Sequence, residues 1–417
     1  WLLALLALLA LLFALAAVLR WAFSTIMATL ARPVGRRGIG ALALVLLMTY
    51  GAGRLSPRLP AEHWFALPVT GMLVEQAELI LDATVFRDHG RIAAQPPLPV
   101  SDLGRLGGGD LFVIFFESYG ALVFDDPRFA VPLAGDFATF EHSLAASGWR
   151  VVSARVESST FGGSSWLAHS SLLSGLRIAD QGDYQDLLAS DRDTLASRLA
   201  AVGYRTISVM PGLKYAWPEG QFYRFDRIYN AEGLRYPGPA YGWWVIPDQY
   251  SLYHVHQTEV APAGHTPLLV FYPTINSHAP FAPLPPYRSN WSVFDAPPTA
   301  AVVAEAVELN HRLDGRELAS AYLQSVRYNL AVLGGYLRQY APANALLVVL
   351  GDHQPPAVVG GRDIPWQVPV HLFSRDPALI EAFEQAGFRP GITPGPAALG
   401  GIEMLGPLLL RTLDSRR

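Results

Sequence analysis

LFVIFF, residues 111–116, is an unbroken apolar run between Asp110 and Glu117, and it decides the fold class of this chain. A run of this length with polar residues at both ends is typical of a strand buried on both faces of a sheet. Further runs of the same character are RVVSARV (150–156), RTISVM (205–210), PLLVFYPT (267–274), ALLVVL (345–350) and VPVHLF (368–373). Helical patterns such as 193–202 and 317–340 alternate with them. The sequence therefore predicts an α/β domain in which helices sandwich a mostly parallel sheet.

The composition limits the class of protein. Of the 417 residues, 51% are hydrophobic and 16% are charged, and the mean hydropathy is +0.23. These values indicate a membrane anchor joined to a globular domain. The net charge of −4 argues against a nucleic-acid partner, and the lack of cysteine excludes disulfides, thiolate metal sites and cysteine nucleophiles. We interpret Lys214, the single lysine, as a sign of genomic base composition rather than of function.

Two apolar segments predict a transmembrane anchor over residues 1–54. Residues 1–19 carry no charge and are long enough to span a bilayer, and residues 38–53 form a second, shorter segment. Arginines between the two segments place that loop in the cytoplasm and everything after Arg54 outside it. We therefore expect a protein of the bacterial inner (cytoplasmic) membrane with a periplasmic catalytic domain.

Two other interpretations of this region stay open. A cleaved signal peptide is the alternative to the anchor, and a chain that opens on tryptophan leaves further spans upstream open. Residues 55–105 are predicted to be a juxtamembrane connector and residues 106–417 an extracytoplasmic domain. Within it, the Pro- and Gly-rich stretch 233–300 is expected to be an insertion that carries substrate contacts.

Polar side chains follow four of the predicted strands. The carboxyl ends of parallel strands meet at one edge of a sheet, where ligands bind. The side chains are Glu117 after 111–116, Glu157 and a serine-rich stretch after 150–156, Asn276, Ser277 and His278 after 267–274, and Asp352 and His353 after 345–350. We expect these carboxylates, imidazoles and hydroxyls to converge at that edge.

Some of these residues have an ordinary structural explanation when taken alone. Glu117 could be the first-turn acid of a helix, Ser165 an N-cap and His278 a hydrogen-bonded loop histidine. Asp352 and His353 directly after a buried strand are costly unless paired or metal-bound, which favours a function. Taken together, the acids, the histidine and a hydroxyl suit a divalent cation such as Zn²⁺ or Mn²⁺, which would activate the hydroxyl as a nucleophile.

The stretch GGSSWLAHSSLLSG, residues 162–175, supplies the hydroxyl. Its glycines allow close approach of the backbone, and the small residues that follow let a helix pack beneath the site. The N-terminus of that helix would bind an anionic group through its free N–H donors. We interpret the stretch as a turn that presents a nucleophile.

This ordered set of motifs resembles the alkaline phosphatase/sulfatase superfamily. More narrowly, it resembles the membrane-anchored lipoteichoic-acid synthase and phosphoglycerol-transferase group, with phosphoethanolamine transferases as relatives. The similarity covers roughly residues 110–410. It implies that FFESYG (115–120) and GDHQPP (351–356) supply the metal ligands Glu117, Asp352 and His353, with Ser165 as a fourth. It also implies one divalent ion, Mn²⁺ or Zn²⁺, with Mg²⁺ as a third candidate.

The resemblance also implies a substrate-binding set. His278 in TINSHAPF (274–281) matches a histidine that contacts the phosphoryl group. In YGWWVIPDQYSLY (241–253), Trp244 and Asp248 match a segment whose tryptophan lines the head-group site. His169 is included in the same substrate-binding set.

The nucleophile in this superfamily stands ten residues before the glycine that ends its helix. Counting back from Gly175 gives Ser165, with Ser164 as the second and Thr160 as the third candidate. A sulfatase would have proline and arginine two and four residues after the nucleophile, where this chain has Leu167 and His169, so sulfatase chemistry is not expected. The related head-group transferases use threonine, so the serine leaves the subfamily open.

The function implied is a transferase. A phospho-head-group, phosphoglycerol by first choice, would pass from a membrane phospholipid through a phosphoserine to an envelope acceptor, either a glycan or a lipid-linked molecule. One alternative is a phosphodiesterase or phosphatase with the same site and water as the acceptor. The other is a non-catalytic envelope protein, which would bind no metal.

Overall fold

A computed structural model describes the protein at residues 2–55, 74, 92, 94–311, 317–361 and 363–416. The chain divides into two compact units, residues 1–87 and residues 88–417. Most of the predicted connector, 55–105, lies outside the described residues. Its part from residue 94 onwards belongs to the second unit, where Leu98 and Leu103 are buried.

The first unit contains the helices Leu2–Leu30 and Pro33–Leu55. The hydroxyls of Ser24 and Thr25 donate to the carbonyl oxygen of Trp21, which satisfies polar groups inside an apolar helix. Among the described residues, one stretch, Phe13–Leu30, is long and apolar enough to cross a membrane by length and composition. The predicted segment 38–53 lies in the second helix, which does not meet that criterion. One candidate span therefore stands where the sequence predicts two.

A sheet forms the centre of the second unit, with nine strands among the described residues. They are β1 (Leu111–Phe116), β2 (Arg150–Glu157), β3 (Arg205–Val209), β4 (Arg227–Tyr229), β5 (Leu268–Pro273), β6 (Leu346–Gly351), β7 (Gln367–Ser374), β8 (Arg389–Pro390) and β9 (Ala398–Gly401). Their order is β4-β3-β5-β1-β6-β7-β2-β8, and β9 pairs with β2. β1 is parallel to β5 and β6, whereas β7 is antiparallel to β6 and β2. The predicted mostly parallel sheet is confirmed.

Helices cover both faces of this sheet, as predicted. Successive side chains of a strand point to opposite faces, so β1 contributes to two cores. One core receives Phe112, Ile114 and Phe116, and the other receives Leu111, Val113 and Phe115. The first core also contains the helices Pro127–Ala145 and Leu318–Gln339, and the second contains Ser165–Ser174, Leu195–Ala200, Pro377–Gln385 and Leu405–Thr412.

The remaining helices are short, apart from one. They are Leu122–Asp125, Gln181–Leu188, Asp248–Val255, Ala300–His311 and Ala357–Gly360, with 3-10 turns at Gly104–Leu106, Pro218–Tyr223, Trp291–Asp295 and Ile402–Met404 and a π-helical turn at His256–Val260.

The predicted insertion 233–300 needs correction. It is not a single excursion, because β5, which pairs with β1 and β3 near the middle of the sheet, lies inside it. The segments on either side of β5 carry the helix Asp248–Val255 and the loop that contains His278. The strand predicted at 267–274 therefore divides the Pro- and Gly-rich stretch into two separate segments.

Candidate active site

Four side chains from separate parts of the chain meet at the carboxyl edge of the sheet. Glu117 follows β1, Asp352 and His353 follow β6, and Ser165 begins the helix Ser165–Ser174. Ser165 Oγ donates to Glu117 Oε2 at 2.9 Å and lies 3.1 Å from His353 Nε2. His353 Nε2 lies 3.4 Å from Glu117 Oε1 and 3.7 Å from Asp352 Oδ2. The structure thus brings together the four residues that the resemblance assigns to a metal centre.

Asp352 is fully buried, and its two oxygens differ in their surroundings. Oδ1 accepts hydrogen bonds from the backbone N–H groups of Ser118 (2.8 Å) and His353 (2.7 Å). Oδ2 is buried with no hydrogen-bond partner among the described residues. Burial and the neighbouring charge of Glu117 raise the pKa of Asp352 to about 7. Asp352 Oδ2 lies near the negative charge of Glu117 and accepts no hydrogen bond from the described residues, so a bound cation would stabilise it.

His353 presents one ring nitrogen to the centre. Its Nδ1 lies 2.8 Å from the carbonyl oxygen of Gln354, which can only accept, so Nδ1 carries a proton. In the neutral ring Nε2 then has a lone pair directed at Glu117 and Ser165. Burial lowers the pKa of His353, but the charges of Asp352 and Glu117 outweigh it and the net pKa is raised. This arrangement is typical of histidine ligands, whose second nitrogen is fixed by a carbonyl.

These residues fit a divalent metal ion. One ligand atom each from Glu117, Asp352 and His353 lies within 4.8 Å of the others, and all three residues are buried. Two carboxylates and an imidazole form a mixed oxygen and nitrogen set that suits Zn²⁺ or Mn²⁺. The unpartnered Asp352 Oδ2 is the strongest sign, because a buried charged oxygen without a partner is costly.

The backbone before Ser165 makes a sharp turn. Gly162, Gly163 and Ser164 have φ angles of 66°, 155° and 58°, and the first two are accessible chiefly to glycine. Thr160 Oγ1 donates to the carbonyl oxygen of Gly163 at 2.6 Å, so this hydroxyl supports the turn. Ser164 is the N-cap but makes no side-chain capping bond, which leaves first-turn N–H groups available to a ligand. Of the candidate nucleophiles, Ser165 is the one whose hydroxyl bonds to Glu117 and approaches His353.

Hydroxyl and amide side chains hold the backbone of Glu117. Ser277 was expected at this edge of the sheet, whereas no role was predicted for Thr274 and Asn329. Thr274 Oγ1 accepts from the Glu117 N–H at 3.1 Å, and Ser277 Oγ donates to its carbonyl oxygen at 2.7 Å. Asn329 Nδ2 in turn donates to Ser277 Oγ at 2.8 Å. Thr274 and Ser277 stand in the loop after β5, so their position behind a strand was the available signal. Asn329, on the helix Leu318–Gln339, had none.

Ser118 was also not predicted from the sequence. It is buried, with φ of 60°, an uncommon conformation for serine. This conformation lets its N–H bond to Asp352 while its Oγ donates to Glu117 Oε1 at 3.0 Å. Backbone strain of this kind concentrates at functional sites. The sequence ESYG gives no sign of the positive φ of Ser118, which only the structure shows.

Trp244 and His278 lie together in a second group. Their ring centroids are 4.5 Å apart, and both residues are half-buried. Trp244 Nε1 is buried without a hydrogen-bond partner in the described part of the chain. The Nζ of Lys214 lies 4.1 Å from the ring centroid of Trp243 and 5.9 Å from that of Trp244. The single lysine, interpreted from composition alone as incidental, therefore stands beside the predicted substrate residues.

Asp248 is hydrogen-bonded to the loop that precedes His278. It is fully buried, and its oxygens accept hydrogen bonds from the Tyr272 hydroxyl and from the N–H groups of Ile275 and Asn276. Burial raises its pKa to about 6. Asp248 thus organises the loop that leads to His278, and its predicted direct contact with substrate stays a prediction.

His169 lies one helical turn after Ser165 and is buried between the rings of Phe115 and Phe271, with centroids 4.5 and 5.6 Å away. Burial lowers its pKa to about 4, so the ring is neutral. Its Nε2 has no hydrogen-bond partner among the described residues, and the side chain lines a cavity separate from the residues above.

No protein-family model and no curated protein matches this chain. Among solved structures it is similar to a protein in the alkaline phosphatase superfamily from Vibrio parahaemolyticus, at 17% identity and TM-score 0.48, covering 73% of this chain and 66% of that one. It is also similar to the lipoteichoic acid synthase LtaP from Listeria monocytogenes, at 14% identity and TM-score 0.46, covering 68% and 70%.

A third similar structure is the C-terminal periplasmic domain of EcEptC from Escherichia coli, at 16% identity and TM-score 0.46, covering 75% of this chain and 84% of that one. That domain has also been solved in complex with zinc. The chain spans just under two thirds of the Vibrio protein. The superfamily named for that protein is the one that the sequence motifs resemble, and at these identities the likeness concerns the fold and does not assign a reaction.

Proposed function

We propose that the second unit is a metal-dependent transferase that moves a phospho-head-group from a membrane phospholipid to an envelope acceptor through a covalent phosphoserine at Ser165. One observation carries the proposal: the Ser165 hydroxyl, at the start of a helix, bonds to Glu117 and approaches His353 beside an unpartnered buried oxygen of Asp352. A hydroxyl within hydrogen-bonding distance of two residues of a candidate cation site is suited to activation by the cation for nucleophilic attack.

The nucleophile is oriented before the substrate arrives. The Ser165 proton points to Glu117 Oε2, and His353 Nε2 offers a second acceptor. The N–H groups of the first helical turn, left without a side-chain cap, would hold the non-bridging oxygens of the phosphate. A new bond forms between Ser165 Oγ and phosphorus as the hydroxyl proton is released to solvent. The bond to the diacylglycerol oxygen breaks, and diacylglycerol leaves after that oxygen takes up a proton from His278 or from water.

Glu117, Asp352 and His353 would hold the divalent ion, with Ser165 Oγ as the fourth ligand. When bound, the ion lowers the pKa of the serine hydroxyl and neutralises charge on the phosphoryl group. The residues around it fix its ligands, since Ser118 N–H holds Asp352 and the Gln354 carbonyl fixes the His353 ring.

Head-group recognition is assigned to Trp244 and His278. The half-buried indole of Trp244 would contact the head group, and His278 would bind or protonate oxygens of the phosphoryl group. Lys214 adds a positive charge next to them, which favours an anionic phosphodiester. These features suit phosphatidylglycerol as the donor.

The location follows from the chemistry and from the apolar helix. A donor in the bilayer requires the site to stand near lipid head groups, and Phe13–Leu30 is the stretch that could hold it there. We propose an inner-membrane anchor, a periplasmic active site and a glycan or lipid-linked acceptor.

The test is intact-protein mass spectrometry of the full chain in vesicles of phosphatidylglycerol and phosphatidylethanolamine with Mn²⁺ or Zn²⁺. The wild type and Ser164→Ala should carry a glycerophosphate adduct on the peptide 162–175, and Ser165→Ala should not. A phosphoethanolamine adduct would keep the mechanism and change the donor. Steady release of free head-group phosphate without an acceptor would establish a hydrolase instead. An adduct on Ser165→Ala, or no adduct and no diacylglycerol from the wild type, would refute the proposal.

A further inference from the structure

A cavity of about 320 Å³ opens beside the helix Ser165–Ser174, and no step proposed above uses it. Its volume lies at the lower end of the roughly 300–1,000 Å³ that is typical of small-molecule sites. Its wall is mostly aromatic, with Trp166, His169, Tyr184, Trp217, Tyr223 and Phe271 among the lining residues. Trp217 and Tyr223 stack on each other with ring centroids 5.6 Å apart.

One polar atom on this wall lacks a partner. His169 is 9% exposed, and its Nε2 makes no hydrogen bond to any described residue. A buried nitrogen left without a hydrogen bond is unfavourable. Because the imidazole is held between Phe115 and Phe271, it cannot turn away to find one. A ligand in the cavity would meet the part of this ring that lines the wall.

The phenol groups of the wall are already engaged. Tyr223 Oη lies 2.7 Å from Ser170 Oγ, and burial raises the pKa of Tyr184. Their rings therefore act as apolar faces. Gln181 and the exposed carboxylate of Glu219 complete the polar part of the lining.

The cavity lies next to the nucleophile along the chain. Residues four apart on a helix share a face, so His169 stands one turn below Ser165. Trp166, the residue after the nucleophile, lines the same cavity and is 45% exposed. The cavity and the nucleophile thus share one helix, although Ser165 is not among the residues that line the cavity.

We propose that this cavity binds a sugar ring of the acceptor glycan, an inference that rests on the proposed function for its acceptor role. A sugar ring has apolar C–H faces that pack on indole and phenol rings, and hydroxyls that can bond to the polar lining residues Gln181 and Glu219. A hydroxyl of the bound glycan attacks phosphorus, the bond between phosphorus and Ser165 Oγ breaks, and the hydroxyl proton returns to Ser165 Oγ. The product is a phosphodiester on the sugar, and the serine is regenerated.

The test measures binding directly, with saturation-transfer NMR on the full chain in lipid nanodiscs. The probe is methyl β-D-glucoside, and glycerol and choline chloride are compared at equal concentration. We expect transfer to the ring protons of the glucoside, with the dissociation constant raised at least tenfold in Trp166→Leu and in His169→Leu. Trp166→Leu removes a half-exposed side chain and keeps the test valid if His169→Leu fails to fold. Trp366→Leu, an exposed tryptophan outside the cavity, is the matched control and should bind like the wild type.

Three results would overturn the inference: no glucoside binding, binding that neither cavity variant weakens, or binding of choline in place of the glucoside, which would make Glu219 and the aromatic wall a cation site. The Ser165 adduct, measured on the same samples, separates the two proposals. An adduct without sugar binding refutes the cavity assignment alone, and sugar binding without an adduct refutes the transferase alone.

Discussion

Replacing Asp352 by asparagine should stabilise the metal-free protein and abolish its response to metal. Burial and the charge of Glu117 raise the pKa of Asp352 from 3.8 to about 7. A shift of roughly 3 units corresponds to about 4 kcal/mol of destabilisation of the charged form. Asparagine removes the charge and keeps an oxygen for the N–H groups of Ser118 and His353. The increase in the free energy of unfolding should approach about 4 kcal/mol as an upper limit.

The gain depends on pH in a defined direction. Because the pKa of Asp352 is raised in the folded state, its charge destabilises the fold increasingly as pH rises from about 4 to about 7. The free energy of unfolding of Asp352→Asn should therefore exceed that of the wild type by the full amount at pH 8 and should equal it at pH 4. Unfolding of the second unit, residues 88–417, has an entropy of about 0.7 kcal/mol per kelvin, so about 4 kcal/mol shifts Tm by about 6 °C.

The assay is thermal unfolding followed by tryptophan fluorescence, with EDTA and with Mn²⁺ in excess. Metal at a hundredfold excess over Kd should stabilise the wild type by about 2.7 kcal/mol, a shift of about 4 °C, and leave Asp352→Asn unmoved. Asp248→Asn is the matched control, because it removes an equally buried carboxylate outside the cluster and should keep the metal response. The reasoning is wrong if Asp352→Asn melts no higher than the wild type in EDTA at pH 8, or if Mn²⁺ still stabilises it.

Further predictions concern the surroundings of the site. Gly351→Ala should lower the free energy of unfolding in urea by at least about 2 kcal/mol, because its Cβ would overlap the Tyr119 carbonyl oxygen; unchanged stability would contradict this. The raised pKa of Asp248, about 6, should make the wild type lose up to about 3 kcal/mol between pH 4 and pH 7 relative to Asp248→Asn, and an equal difference at both pH values would count against it. Trp244→Leu should raise KM for the phospholipid about tenfold with little change in kcat, since it removes a binding surface beside His278; a loss confined to kcat would place Trp244 in the chemistry instead.

The central strands could be predicted from the sequence because their apolar runs record burial on both faces. All six predicted strands agree with β1, β2, β3, β5, β6 and β7 within one residue at each end. The short strands β4, β8 and β9 were not predicted, since two to four residues carry no periodic signal and depend on pairing with β3 or β2. The antiparallel direction of β7 is likewise a tertiary property.

The metal-centre residues could be predicted for a related reason. Glu117, Asp352 and His353 each follow a buried strand, and polar residues there are costly without a partner. The φ of Ser118, the hydrogen bonds of Ser277 and the unpartnered nitrogen of His169 depend on backbone geometry and on distant neighbours, which the local sequence does not encode. Such features make up the support around the site.

The partners of Ser165 are far apart in the chain: Glu117 precedes it by 48 residues, and His353 follows it by 188. Synthesis proceeds from the N-terminus, so the nucleophile emerges long before its last partners do. A nascent or truncated chain that ends before β6 has the serine and one acid but neither Asp352 nor His353. The reactive centre can exist only once residues up to His353 have been synthesised and β1 has paired with β6. The proposed transferase would thereby stay inert until β6 and the two residues after it have been synthesised.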